Sequence, residues 1–149
     1  MDEAVTFRDL SSRDPQVAGA LAARAGRSAL SWFPDRAETN GTGRRLILGV
    51  AVWSMYDLKL LDLVNDAVAS GSHPGLQVAV FNIDELASPT ELQRIFPGIG
   101  EVLQSPAVGY WEAGQLKETA TGFHARQLIG RVLGFDPNLV LESPTAAAG

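Results

Sequence analysis

The stretch Arg45-Leu46-Ile47-Leu48-Gly49-Val50-Ala51-Val52 runs without interruption into Trp53-Ser54-Met55-Tyr56-Asp57 and then into residues 58–69. The first part is almost continuously apolar, which suits a central strand buried on both faces. The last part is periodic. Leu60, Leu61, Val64, Ala67 and Val68 share one face at 3.6-residue spacing, and Lys59, Asp62, Asn65 and Asp66 share the opposite one. A strand passing straight into a helix is therefore expected, with residues 53–57 at the junction. Gly71 ends the helix, and Ser72-His73-Pro74-Gly75 turns the chain into a second apolar run over 76–83. Two such strands joined by a helix call for parallel pairing and a right-handed crossover.

Downstream, Ser88-Pro89-Thr90-Glu91 starts a short helix reaching Ile95, and Phe96-Pro97-Gly98-Ile99-Gly100 breaks it. Residues 107–111 read as a third strand. Glu112-Ala113-Gly114 turns the chain, and 115–119 return as a fourth strand, making an antiparallel hairpin. Thr121-Gly122 leads into a last helix over 124–133, with Ile129, Val132 and Leu133 facing inward and Gly134 closing it. Upstream, Ser12, Asp14 and Pro15 signal the start of an Ala-rich helix over 15–25. Trp32-Phe33-Pro34 follows as an apolar anchor, and Asn40-Gly41-Thr42-Gly43 as a loop. The expected organisation is an N-terminal extension over 1–43 packed on a domain over 44–135, with a flexible tail over 136–149.

At 149 residues the chain has room for one domain with a sizeable core. Its 46% apolar and 19% charged content is a globular balance, not a disordered one. The net charge of −5 argues against a nucleic-acid partner, since neutralising phosphates takes a basic patch and the only paired basic residues are Arg44-Arg45. No apolar run approaches the roughly 20 residues that span a bilayer. The acidic start Met1-Asp2-Glu3 does not read as a signal peptide, so a cytoplasmic location without membrane association is expected. There is no cysteine, which excludes disulfides, thiolate metal sites and intrinsic thiol redox chemistry.

With these landmarks, the order β-α-β, helix, β-β-α resembles thioredoxin over roughly residues 44–135. Trp53 sits where that family's tryptophan precedes its active-site cysteine pair. Phe81-Asn82-Ile83-Asp84 looks like the end of the family's third strand, and Ser105-Pro106 stands at its cis-proline. Glu112-Ala113-Gly114-Gln115-Leu116 looks like its hairpin turn, and Gly122 like the glycine before its last helix. The resemblance implies an α/β fold, a three-layer α/β/α sandwich with a mixed central sheet, here carrying an N-terminal helical extension. The departures bear on function. Ser54 and Asp57 occupy the two cysteine positions, and Leu48 stands where the family keeps a buried acid that handles protons. The stretch 84–106 is several residues longer than in a minimal thioredoxin. Sulfurs and proton carrier are gone together, so the chain is identified as a cysteine-free, non-redox member of the superfamily.

Ser54-x-x-Asp57 is a capping-box pattern, in which Ser54 accepts from a free backbone N–H and Asp57 reaches back. Asp57 also complements the positive end of the helix dipole. A sharper reading makes Ser54 a hydroxyl that activates a bound thiol, as in some glutathione transferases, which share the fold; no accompanying helical domain is visible in this chain. His73 and His124 lie far apart beside no nucleophile and read as surface histidines. Asp62, Asp66, Asp84, Glu85 and Glu91 lack metal-loop spacing and read as solvated faces, so no metal or cofactor is expected.

Trp53, Met55 and Tyr56 form an apolar cluster at a helix start, and the resemblance places Ser105-Pro106 beside them. In the family, the residue before the cis-proline pairs its backbone with an extended client peptide, a form of strand addition. Aromatic and Met side chains are favoured at binding surfaces. The blander reading has Trp53 and Tyr56 covering the core beneath residues 96–103. The leading expectation is a non-catalytic module that binds another protein or peptide through Trp53, Ser54, Met55, Tyr56, Asp57, Ser105 and Pro106. The alternatives are a self-associating subunit, such as a homodimer, that buries Trp32-Phe33 or the insertion against a copy, and an enzyme using Ser54.

Overall fold

The apolar run and the periodic run form the strand and helix they predict. The structure, a computed structural model, describes residues 19, 30–33, 43–86, 88–99 and 104–136. In chain order the elements are β1 (Leu30–Trp32), β2 (Arg44–Val50), α1 (Met55–Ala69), β3 (Leu76–Asn82), a 3-10 turn (Ile83–Glu85), α2 (Pro89–Ile95), β4 (Ala107–Glu112), β5 (Gln115–Thr121) and α3 (Gly122–Leu133). The helix expected over 15–25, Pro34, the loop at 40–42, part of the 84–106 insertion and the tail beyond 136 lie outside the described residues.

The strands form one mixed sheet in the order β1-β3-β2-β4-β5. β2 and β3 are adjacent and parallel, with Leu46 opposite Val78 and Leu48 opposite Val80. β4 runs antiparallel to both β2 and β5. The β4–β5 turn carries Ala113 and Gly114 at φ 52° and 79°, the left-handed pair that a tight hairpin needs.

Alternation along β2 divides the core. Leu46, Leu48 and Val50 lie on one side of the sheet with Leu61 and Val64 of α1 and Leu128 and Ile129 of α3. Ile47 and Ala51 lie on the other side with Leu92 and Ile95 of α2 and with Phe33, Phe81 and Phe96. Helices thus cover both faces, and the architecture is the thioredoxin-like α/β/α sandwich that the resemblance implies.

On the α2 side a row of rings, Phe33, Phe81, Phe96 and Trp111, crosses the sheet with successive centroids 5.9, 5.9 and 6.2 Å apart. It passes over Gly49 and Gly109. A Cβ at Gly49 would meet the Phe81 ring at 2.5 Å, and one at Gly109 would meet Phe96 at 2.6 Å. Both glycines are therefore set by packing within a strand.

The structure departs from the sequence reading in several places. β1 lies in the stretch read as an extension, yet it pairs parallel with β3 and adds an edge strand to the sheet. Phe33 is buried against Phe81, so it is not the exposed self-association surface considered for Trp32-Phe33. Asn65 is buried, not on the polar face of α1, because it falls four residues after Leu61 and seven after Leu58, both buried. β5 runs to Thr121, and α3 starts directly at Gly122, earlier than the expected 124. His73 is half-buried: its Nε2 lies 2.9 Å from the carbonyl of Leu133 and ties the turn after α1 to the end of α3.

Candidate functional site

β2 ends at Val50, and the chain turns through Ala51, Val52 and Trp53 before α1 begins. The turn closes when the Ser54 N–H donates to the Ala51 carbonyl at 3.0 Å. Ser54 has an extended backbone and acts as the N-cap: its Oγ accepts from the Asp57 N–H at 3.3 Å, and its carbonyl accepts from the Leu58 N–H at 3.1 Å. The cap half of the capping-box expectation therefore holds.

The other half does not. Asp57 leaves the Ser54 N–H alone and turns inward, 2% exposed, where its Oδ2 accepts from the Ala51 N–H at 2.9 Å. The cause is helical phase. Asp57 lies four residues before Leu61 and seven before Val64, in the middle of the buried stripe. Its side chain can only point into the domain, where the first free N–H it meets belongs to the turn. Burial pushes the Asp57 carboxyl above the ordinary carboxylate range. The Ala51 N–H, the Ser105 side chain and the charge of Arg126 pull against that, and the charge of Asp84 adds to it. Leu48, at the position where the resemblance puts a buried acid, is fully buried among apolar side chains. The buried acid of this region comes from α1 instead.

The Ser105–Pro106 peptide bond is cis. Pro106 is buried, and its carbonyl accepts from the Gly122 N–H at 2.8 Å, which joins the entry to β4 to the start of α3. Ladder pairing of β4 begins at Ala107, so Ser105 stands outside it, half-exposed. Ser105 lines an open cavity of ≈ 410 Å³ together with Trp53, Ile83, Asp84, Gln104, Gly122, Phe123 and Arg126.

Among the described residues four large apolar side chains are exposed, two of them, Trp53 and Phe123, in the cavity lining. Trp53 is 74% exposed, Met55 58%, Tyr56 45% and Phe123 54%. The reading in which Trp53 and Tyr56 cover the core does not hold.

Of the seven residues singled out from the sequence, Trp53 and Ser105 line the cavity, and Asp57 is buried and bonded to the Ala51 N–H of the turn. Met55 and Tyr56 extend the exposed surface, while Ser54 and Pro106 serve the local backbone. Four participants were missed, Gln104 among them. Asp84 was read as part of a solvated face, and Phe123 and Arg126 were not singled out. The available signal was an exposed aromatic and a cation one helical turn apart, at the start of the helix that follows Gly122. Among the described residues no group of three or more His, Asp or Glu side chains is placed to hold a metal ion. Nor is any helix long and apolar enough to cross a membrane among those residues.

No family model matches this chain, and no curated protein matches it. Among solved structures it is similar to a thioredoxin from Plasmodium falciparum, with 14% sequence identity, 62% of this chain and 85% of that chain covered, and a TM-score of 0.43.

Proposed function

We propose that the chain is a non-catalytic protein-binding module that docks an extended segment of a partner across Trp53, Met55, Tyr56 and Phe123, beside Ser105. The supporting observation is the exposure of these four large apolar side chains, of which Trp53 and Phe123 line one cavity and Met55 and Tyr56 follow Trp53 at the start of α1. Exposed apolar patches of this kind mark interaction sites on soluble proteins. Ser105 adds a backbone edge outside the sheet's own ladder, the kind of edge that strand addition uses. The absence of cysteine fits a module without disulfide chemistry. The Ser54 hydroxyl is engaged as a helix cap, which favours a structural over a catalytic part for it. A cytoplasmic setting belongs to the same proposal.

The test compares the wild type with the double variant Trp53→Ala, Tyr56→Ala as bait in native extract. A partner held by the wild type and lost by an equally folded variant supports the reading. Equal capture by both sinks it. The same patch is also compatible with burial against a second copy. A solution-mass measurement separates the two, because a self-associating subunit would show twice the monomer mass with no partner present.

A further inference from the structure

The cavity holds two charges of opposite sign that come from different elements. Asp84 belongs to the 3-10 turn that ends β3, and Arg126 to the start of α3. Among the described residues neither forms an ion pair, with the other or with a third group. The Asp84 backbone N–H donates to the Asn82 side chain at 3.0 Å, which fixes the turn that carries the carboxylate. The Arg126 guanidinium stands over the Phe123 ring, 6.0 Å from its centre. That contact engages its face, and its N–H donors remain for a planar acceptor. Trp53 and Phe123 supply apolar walls, and Gln104 and Ser105 supply neutral hydrogen-bonding groups. Both charges are reachable from solvent, and a docked segment that covers the open cavity would strengthen their action on it by excluding water. The volume of ≈ 410 Å³ gives room for side chains of a bound segment rather than for a single ion.

We propose that the partner segment docked on this face carries one acidic and one basic side chain, the acid meeting Arg126 and the base meeting Asp84. The inference rests on the docking reading above and adds the chemistry and direction of the bound chain. A carboxylate can take two parallel N–H bonds from a guanidinium, which fixes its orientation as well as its position. Where pairing with the Ser105 edge sets the direction of the chain, only one order of acid and base along the segment satisfies both Arg126 and Asp84. The reverse order then sets acid against Asp84 and base against Arg126. Such juxtapositions supply discrimination more than raw affinity.

The test uses end-capped, fluorescently labelled peptides of one length that share the same apolar residues. One series has Glu before Lys at several separations, a second has Lys before Glu at the same separations, and a control has Gln at both positions. Binding is read by anisotropy with the wild type and with the double variant Asp84→Lys, Arg126→Glu, whose melting is checked first. The wild type should prefer one order by about tenfold or more, with the preference shrinking as salt rises. The double variant should prefer the opposite order. If the double variant does not fold, Asp84→Asn, at an exposed position, should by itself reduce the preference.

Equal affinity for both orders and the Gln control overturns the inference and leaves the docking surface standing. A preference that survives the charge swap overturns it as well. If no peptide binds the wild type, the docking reading fails and takes the inference with it.

Discussion

The buried floor and the exposed rim of the strand-to-helix junction are built on opposite terms. The floor, the junction packed beneath the surface, is polar and buried, yet bonded: Asp57 accepts from the Ala51 N–H. The rim is apolar, yet exposed: Trp53, Met55, Tyr56 and Phe123 leave much of their surface in water. Each reverses the usual preference of its residue types. Five consecutive residues, 53–57, supply most of both, so the turn at Trp53 and the helical phase from Met55 to Asp57 together sort structural from exposed side chains. The floor should therefore govern stability and the rim should govern binding.

The strongest challenge to this division is Asp57→Ala. It leaves the Ala51 N–H buried without its acceptor, and such a group costs about 1–3 kcal/mol. Urea denaturation should show a loss in that range, with Asp57→Asn losing less because its amide oxygen can still accept. A loss below about 0.5 kcal/mol, the scale of an ordinary surface substitution, would mean that the floor is not structural.

The cap comes next in size. Ser54→Ala should cost about 1 kcal/mol, and Ser54→Asp or Ser54→Asn should recover most of it, because either side chain can accept from the same backbone N–H. If the alanine variant melts like the wild type but loses binding to a small thiol, Ser54 belongs with function and the division fails.

The contrast can also be sharpened by pH. Burial raises the Asp57 carboxyl above its unfolded value of about 3.9. The folded state therefore takes up this proton first as pH falls. The stabilisation is fully present below the unfolded value and is lost as pH rises through the raised one. Measured against Asp57→Asn across an acid titration, the wild type should gain relative stability as pH falls from neutral toward the ordinary carboxylate range. A relative loss over that window would show that the Ala51 N–H and the Ser105 side chain outweigh burial.

Much of the fold was legible in the sequence, because long elements repeat their signal. The apolar run of β2, the stripe of α1 and the Ala113-Gly114 turn each point to one structure. β1 was not legible, since three residues carry no period and it joins the sheet only through β3. Asn65 was misplaced because it lies at the edge of its stripe. At Asp57 two local forces competed, the cap pattern and the phase of the helix, and the sequence pattern is the same whichever wins. The cavity was only half legible. Trp53 and Ser105 were reached through the resemblance, whereas Asp84 and Arg126 meet only when the end of β3 and the start of α3 are brought to one end of the sheet.

The smallest expected stability effect belongs to the rim and is the most exacting for the comparison. Trp53 is 74% exposed and Phe123 54%, so truncating either gives up little area that folding had removed from water. Trp53→Ala and Phe123→Ala should each shift the unfolding free energy by no more than about 0.5 kcal/mol. The same truncations should remove most of the binding, because aromatic anchors carry a disproportionate share of interface energy. Both quantities can be read on one preparation, by denaturation and by anisotropy with a peptide the wild type binds. If Trp53→Ala costs several times more than this, the ring is serving the core as well as the rim, and the boundary between the two regions must be drawn below Trp53 rather than above it. If stability holds and binding also holds, the apolar rim is not the docking surface, whatever the charges in the cavity select.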